Sequence, residues 1–208
     1  ARIESAVLST DALLVLGGTS LAVRIDAEAT SIALHPVGRF GESIGTSESI
    51  RHVYAVLARA AQTDEPVLIE GEPGVGKDAL ARAVHAASAR RNGPLVSVDC
   101  AGFSAALLED ELFGHEAGAF EGPRGDGGPE EWGEARAGAL ELASGGTLVL
   151  EEVSALGPEL QAKLSSALDA RATRRIGGGA AIPFDVRVVA TSQRPLGDLA
   201  SIGHFRQD

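Results

Sequence analysis

The chain has 208 residues, 44% apolar and 23% charged, enough to bury one sizeable core and at most a very small second one. A formal charge of −11 opposes a phosphate backbone, which predicts no direct nucleic-acid contact by this segment. No apolar run approaches the ~20 residues of a membrane span, nothing reads as a secretory signal, and the single Cys100 excludes an internal disulfide and any multi-cysteine metal site, so a cytoplasmic protein is expected.

The chain starts at Ala1, has no methionine and stops at "HFRQD" without a helix stop, a pattern expected of a piece cut from something longer. Residues 1–26 read as strands, with "LLVL" (13–16) and "LAVRI" (21–25) flanking "GGTS", a hairpin connection. Such a pair cannot bury a core alone. "HPVGRFGESIG" (35–45) is a linker by composition. The expected division is therefore a β segment with linker over 1–37 and an α/β unit over 38–208. From Ser47 to Ala61, Ile50, Val53, Tyr54, Leu57 and Ala61 share one helical face, with Ser47 or Ser49 as N-cap.

An α/β rhythm follows. "PVLIE" (66–70), "LVSVD" (95–99), "TLVLEE" (147–152) and "DVRVVATS" (185–192) are strands. Helices are predicted over 77–91, 104–114 and 158–171, with Leu80, Val84 and Ala87 inward in the first and Leu160, Leu164 and Leu168 in the last. Residues 122–137 are glycine-rich and acidic, a surface loop. Strands alternating with helices imply a parallel sheet with helices on both faces and a ligand at the carboxyl ends of the strands.

The stretch "GEPGVGKD" (71–78) suits a phosphate loop, and two templates compete for it. Gly74, Val75, Gly76, Lys77, Asp78 and Ala79 satisfy the dinucleotide fingerprint, with Asp99 where a ribose-binding acid would stand. Gly71, four intervening residues, Gly76 and Lys77 satisfy the P-loop pattern, with Asp78 in place of Ser/Thr. Spacing decides for a triphosphate. Gly71, Glu72 and Pro73 separate the strand from Gly74, making a longer loop whose amides can wrap a β-phosphate. Only this template uses Lys77, one of two lysines among 18 basic residues. Downstream, "TLVLEE" ends in two carboxylates: Glu151 would address Mg²⁺ through water, and Glu152 would orient or deprotonate the attacking water. Gln193 stands at the tip of the last strand, within reach of a γ-phosphate or the water.

At these residues a family resemblance emerges. "IGTSESIRHV", "GEPGVGKDALARAVH", "SVDCAGFSAALLEDELFGHEAGAFEG", "ALELASGGTLVLEEVSALGPELQAKL", "RRIGG", "DVRVVATSQRPL" and "GHFRQD" run in order. They make residues 39–208 resemble the AAA+ central domain of bacterial enhancer-binding proteins, the sigma-54-dependent transcriptional activators. "ELFGHEAGAF" is the most specific stretch. The resemblance implies a P-loop NTPase sheet sandwiched by helices, ATP and Mg²⁺ as ligands, and assembly into a ring through the nucleotide interface. It also implies hydrolysis that remodels the sigma-54 RNA polymerase holoenzyme. Ile44 and Gly45 join the 71–79 loop in the nucleotide-binding set. Arg206 matches an arginine that reaches the γ-phosphate of the neighbouring subunit. A second such arginine, the helical lid and a DNA-binding helix-turn-helix would lie beyond Asp208. Residues 118–123, Gly118, Ala119, Phe120, Glu121, Gly122 and Pro123, match the loop that touches the sigma factor.

Departures from the family's pattern fall on working positions. The partner loop usually reads GAFTGA, and Glu121 and Pro123 replace its threonine and final alanine. Glu151 stands for aspartate, Asp99 for a switch asparagine and Gln193 for a sensor asparagine. ATP binding is expected to survive these changes, with hydrolysis slowed and sigma-54 contact weakened. The rival reading is an ATP-gated interaction module, impaired in hydrolysis, that binds its partner through Phe120 and the acidic loop. The N-terminal strands faintly resemble the closing strands of a forkhead-associated domain. The five histidines share no metal spacing and are expected at the surface or as caps, Cys100 as packing, and Trp132 as an exposed loop aromatic.

Overall fold

The structure, a computed structural model, describes residues 12–16, 19–23, 32–119 and 134–208. The chain forms two compact units, Ala1–Ala33 and Leu34–Asp208. In the first, β1 (Ala12–Leu16) and β2 (Thr19–Val23) pair antiparallel, Ala12 facing Val23 and Leu16 facing Thr19. This is the expected hairpin, its second strand shifted two residues toward the turn.

In the second unit, composition suggests a linker where there is a small structured hairpin, β3 (Arg39–Phe40) and β4 (Ser43–Ile44). Phe40 is the reason. It is buried and stacks on Tyr54 with ring centroids 6.1 Å apart, an anchor that the surrounding glycines hide from a compositional reading. The preceding segment is tied down as well: His35 N–H donates to Arg51 O at 2.9 Å, and Arg51 Nε donates to His35 O at 2.8 Å. Helix α1 (Glu48–Ala60) is capped by Ser47, whose Oγ accepts from Ile50 N–H at 3.4 Å. Tyr54, Leu57 and Ala61 are buried as expected, while Val53 stands at the rim and is exposed.

The central sheet is parallel. Its strands are β5 (Val67–Glu70), β6 (Leu95–Asp99), β9 (Thr147–Glu151) and β12 (Arg187–Ser192), in spatial order β5-β12-β9-β6. Its two faces bury two cores, and the alternation along β9 assigns them. Val149 joins Val189, Ile69, α1 and α2 (Lys77–Ala86) on one face. Leu148 and Leu150 join α3 (Ala105–Phe113), α4 (Ala139–Leu142) and α5 (Pro158–Ala170) on the other. Short pairs complete the unit: β7 (Gly114–His115) with β8 (Arg136–Ala137), and β10 (Ala172–Thr173) with β11 (Ile182–Pro183), followed by α6 (Leu196–Ser201). Arg136 and Ala137 thus close a strand pair where a loop is expected. Residues 120–133, with Phe120, Glu121, Gly122, Pro123 and Trp132, lie outside the described residues.

Two other expectations are corrected. Helix α2 ends at Ala86 rather than near 91, because Ser88 Oγ donates to His85 O at 2.7 Å and accepts from Arg90 N–H at 3.1 Å, diverting the helical ladder. Arg90 then turns to Asp64 and Asp185, each at 2.9 Å. His85 and His115 are buried rather than superficial. His85 Nδ1 shares a 2.9 Å hydrogen bond with Thr147 Oγ1, and His115 Nδ1 one of 2.6 Å with Asp110 Oδ1. A helical histidine facing a polar strand residue leaves no mark in linear spacing.

Candidate functional site

The site forms where β5, β9 and β12 end at the same edge of the sheet. Gly71 N–H donates to Ser192 O at 3.1 Å, stitching the loop's first residue to the tip of β12. The loop then turns through Gly74 at φ 77° and Gly76 at φ 90°. A Cβ added at either glycine would meet open space, so the backbone conformation, and not crowding, demands glycine there. Gly76 is the N-cap of α2, and Leu80 N–H makes the first helical bond back to Gly76 O at 3.1 Å. The amides of Lys77, Asp78 and Ala79 therefore belong to the unpaired first turn, at the positive end of the helix dipole. Glu72, Pro73 and Val75 are exposed around this mouth.

Lys77 is buried beneath the loop. Its Nζ donates to Gly71 O at 3.1 Å and Glu72 O at 3.2 Å, and lies 3.2 Å from Glu152 Oε1. Glu152 is held from two further sides. Its N–H donates to Thr191 Oγ1 at 3.2 Å, its Oε2 accepts from Gln193 N–H at 2.9 Å, and its backbone is left-handed at φ 51°. The sequence places Gln193 at the strand tip, but its backbone makes the contact while the residue itself is exposed.

Across the β9–β6 ladder Glu151 faces Asp99. Burial raises the Glu151 carboxyl above its ordinary range, and the charges of Asp78, Asp99 and Glu152 raise it further, partly offset by Arg82. Asp99 turns its Oδ1 onto Ala101 N–H at 2.9 Å. Glu152 is thus engaged by Lys77 and the tip of β12, and Asp99 by its own turn. Among the described residues no three His, Cys, Asp or Glu side chains form a metal cage. The donors here are carboxylate oxygens, the chemistry Mg²⁺ accepts, and they fit it only if phosphate oxygens and water complete the coordination. Cys100, pushed up to about 12 by burial and by the neighbouring Asp99, Glu151 and Glu152, is a protonated packing residue at neutral pH.

The remaining predicted residues lie around this centre or apart from it. Ile44, at the end of the hairpin that packs on α2, is 69% exposed, and Gly45 is packed so closely under Ile50 that an added Cβ would come within 2.7 Å of its Cγ2. Arg206 follows α6 and packs against α5, where its N–H donates to Gln161 Oε1 at 2.9 Å, and its Nε donates to Asp208 Oδ1 at 2.8 Å. Of the stretch expected to touch the sigma factor, Gly118 and Ala119 are described: Gly118 has φ 76°, and Ala119 N–H donates to Glu116 O at 3.1 Å. Sequence reasoning missed Thr191, Ser192 and Glu70, whose Oε1 accepts Leu196 N–H at 2.7 Å. The available signal was polarity at the closing residues of two otherwise apolar strands.

The family described as the sigma-54 interaction domain matches residues 43–208. The Nif-specific regulatory protein of Herbaspirillum seropedicae is 42% identical over 165 residues, 79% of this chain and 29% of that protein. The transcriptional regulatory protein ZraR of Escherichia coli K12 is 39% identical over 184 residues, 88% of this chain and 39% of that one. A crystal structure of NtrX from Brucella abortus in complex with ATP is 34% identical with a TM-score of 0.69, covering 80% of this chain and 34% of that one. The chain thus spans well under half the length of the proteins it resembles. With its four-stranded parallel sheet, its phosphate loop and its paired acids, the chain belongs to the sigma-54 interaction domain family.

Proposed function

We propose that this domain binds ATP in the 71–79 loop and couples its hydrolysis to remodelling of the sigma-54 RNA polymerase holoenzyme. The observation that carries the reading is Lys77: a buried ammonium between two loop carbonyls and Glu152, at the mouth of a helix whose first amides are free to receive phosphate. The ATP-bound NtrX relative supports the nucleotide, and the family supports the partner. In this reading the loop amides and Lys77 hold the β- and γ-phosphates, and exposed Ile44 offers apolar surface to the base. Glu152 orients the attacking water, with Gln193 beside it. Mg²⁺ would neutralise the phosphates while Glu151 and Asp99 hold its water shell. Arg206 is exposed and removed from its own chain's loop, as a residue must be to serve a neighbouring subunit in a ring. Gly118, Ala119 and the loop they open would face the sigma factor. No helix among the described residues is long and apolar enough to cross a membrane, and a cytoplasmic setting goes with these partners.

Titration with a fluorescent ATP analogue, followed by steady-state turnover with and without sigma-54 holoenzyme, tests the proposal. Saturable binding that Mg²⁺ strengthens, with turnover that responds to holoenzyme, is expected. Binding without turnover would leave the nucleotide site and remove the coupling. No geometric observation favours the hydrolysis-impaired alternative, so it is not carried further.

A further inference from the structure

We propose that the hydroxyl of Thr191 is a positioning element for Glu152, taking the place of the strand partner that Glu152 loses where β9 ends. The ladder between β9 and β12 closes at Leu150 opposite Ala190. Strand β12 runs on through Thr191 and Ser192, paired there with Ile69 and Glu70 of β5. The chain after Glu151 turns away into a 3₁₀ turn over Val153–Ala155. At Glu152 the backbone is therefore leaving the sheet, and its N–H has no carbonyl opposite.

Thr191, fully buried, supplies the acceptor through Oγ1 at 3.2 Å. A left-handed residue with a side chain is intrinsically unfavourable, so it persists where surrounding bonds over-determine it. Here they do. Two residues further along the chain, just past the end of β12, Gln193 N–H fixes Oε2, so the tip of one strand sets both the backbone and the head of Glu152. Valine would fill the space of threonine in a strand and provide no acceptor. The inference rests on the reading of Glu152 as the acid that handles the attacking water, and it assigns Thr191 to that acid's aim, with no contact to nucleotide.

The test compares Thr191→Val, which keeps the branched shape, with Thr191→Ser, which keeps the hydroxyl. Thr191→Ala serves as a second acceptor-free variant should valine disturb folding. Three readouts are taken on the full chain: hydrogen exchange of the Glu152 amide without nucleotide, ATP turnover at saturation, and affinity for a non-hydrolysable analogue. The valine variant is expected to speed that amide's exchange about tenfold or more and to cut turnover at saturation about tenfold, with affinity within about twofold of wild type. The serine variant should stay near wild type in all three. Unchanged exchange in Thr191→Val, or a serine variant as impaired as valine, overturns the proposal. If the wild type itself turns over no ATP, the proposed hydrolysis has failed, and the exchange contrast alone decides the role of Thr191.

Discussion

Lys77 Nζ and Glu152 Oε1 lie 3.2 Å apart, so the cation of the loop after β5 and the acid after β9 hold each other across the tip of β12. Lys77 is almost fully buried, and water screens the pair weakly. An incoming polyphosphate must take over the ammonium and release the carboxylate. Glu152→Gln is therefore expected to bind a non-hydrolysable ATP analogue about threefold more tightly while lowering turnover by about 100-fold or more. Calorimetric titration and a phosphate-release assay check both halves.

Like charges crowd Glu151. Asp99 faces it across the ladder and turns its own Oδ1 to Ala101 N–H, a bond that an asparagine carbonyl can also accept. Asp99→Asn should stabilise the cation-free protein by about 0.5 kcal/mol in urea denaturation, with less gain at high salt. It should also weaken the stabilisation that Mg²⁺ gives in the presence of ATP.

His85 supplies a pH dependence. Burial holds it below its ordinary value, and nearby Arg187 acts in the same direction. A base whose folded pKa is depressed favours folding while neutral, so its contribution is present above about pH 6.5 and is lost as pH falls from there through the lower folded value. The urea midpoint should decline between pH 7.5 and 5.5. In His85→Gln that part of the decline should vanish, even if the variant is less stable overall at pH 7.5.

The β7–β8 pair rests on Asp110. Its Oδ1 meets His115 on β7, and its Oδ2 accepts from Arg136 on β8 at 3.3 Å, so one buried carboxylate joins both stems. Asp110→Ala should cost about 3 kcal/mol, seen as a lowered thermal midpoint. Exchange of the β7 and β8 amides should rise more than exchange in β5 and β12.

Much of this site was legible because its chemistry is local in sequence. The glycines, Lys77 and the paired acids each follow a strand whose apolar run is unmistakable, and seven ordered stretches identify the family. Three things were not legible. Phe40 and Tyr54 lie 14 positions apart in the chain, and only their packing turns an apparent linker into a hairpin. Glu152 is aimed by Thr191 and by the backbone of Gln193, and a backbone donor has no residue type to read. The burial of His85 and His115 depends on Thr147 and Asp110 standing opposite them, which spacing does not encode.

The most direct test is equilibrium titration of labelled ATP against the wild type and Lys77→Ala at fixed Mg²⁺ and salt. Loss of a buried ammonium with charge-assisted bonds to phosphate predicts affinity lowered by about 10- to 100-fold. Equal binding by the two proteins, or no binding by the wild type, would contradict the phosphate site and every role built around it.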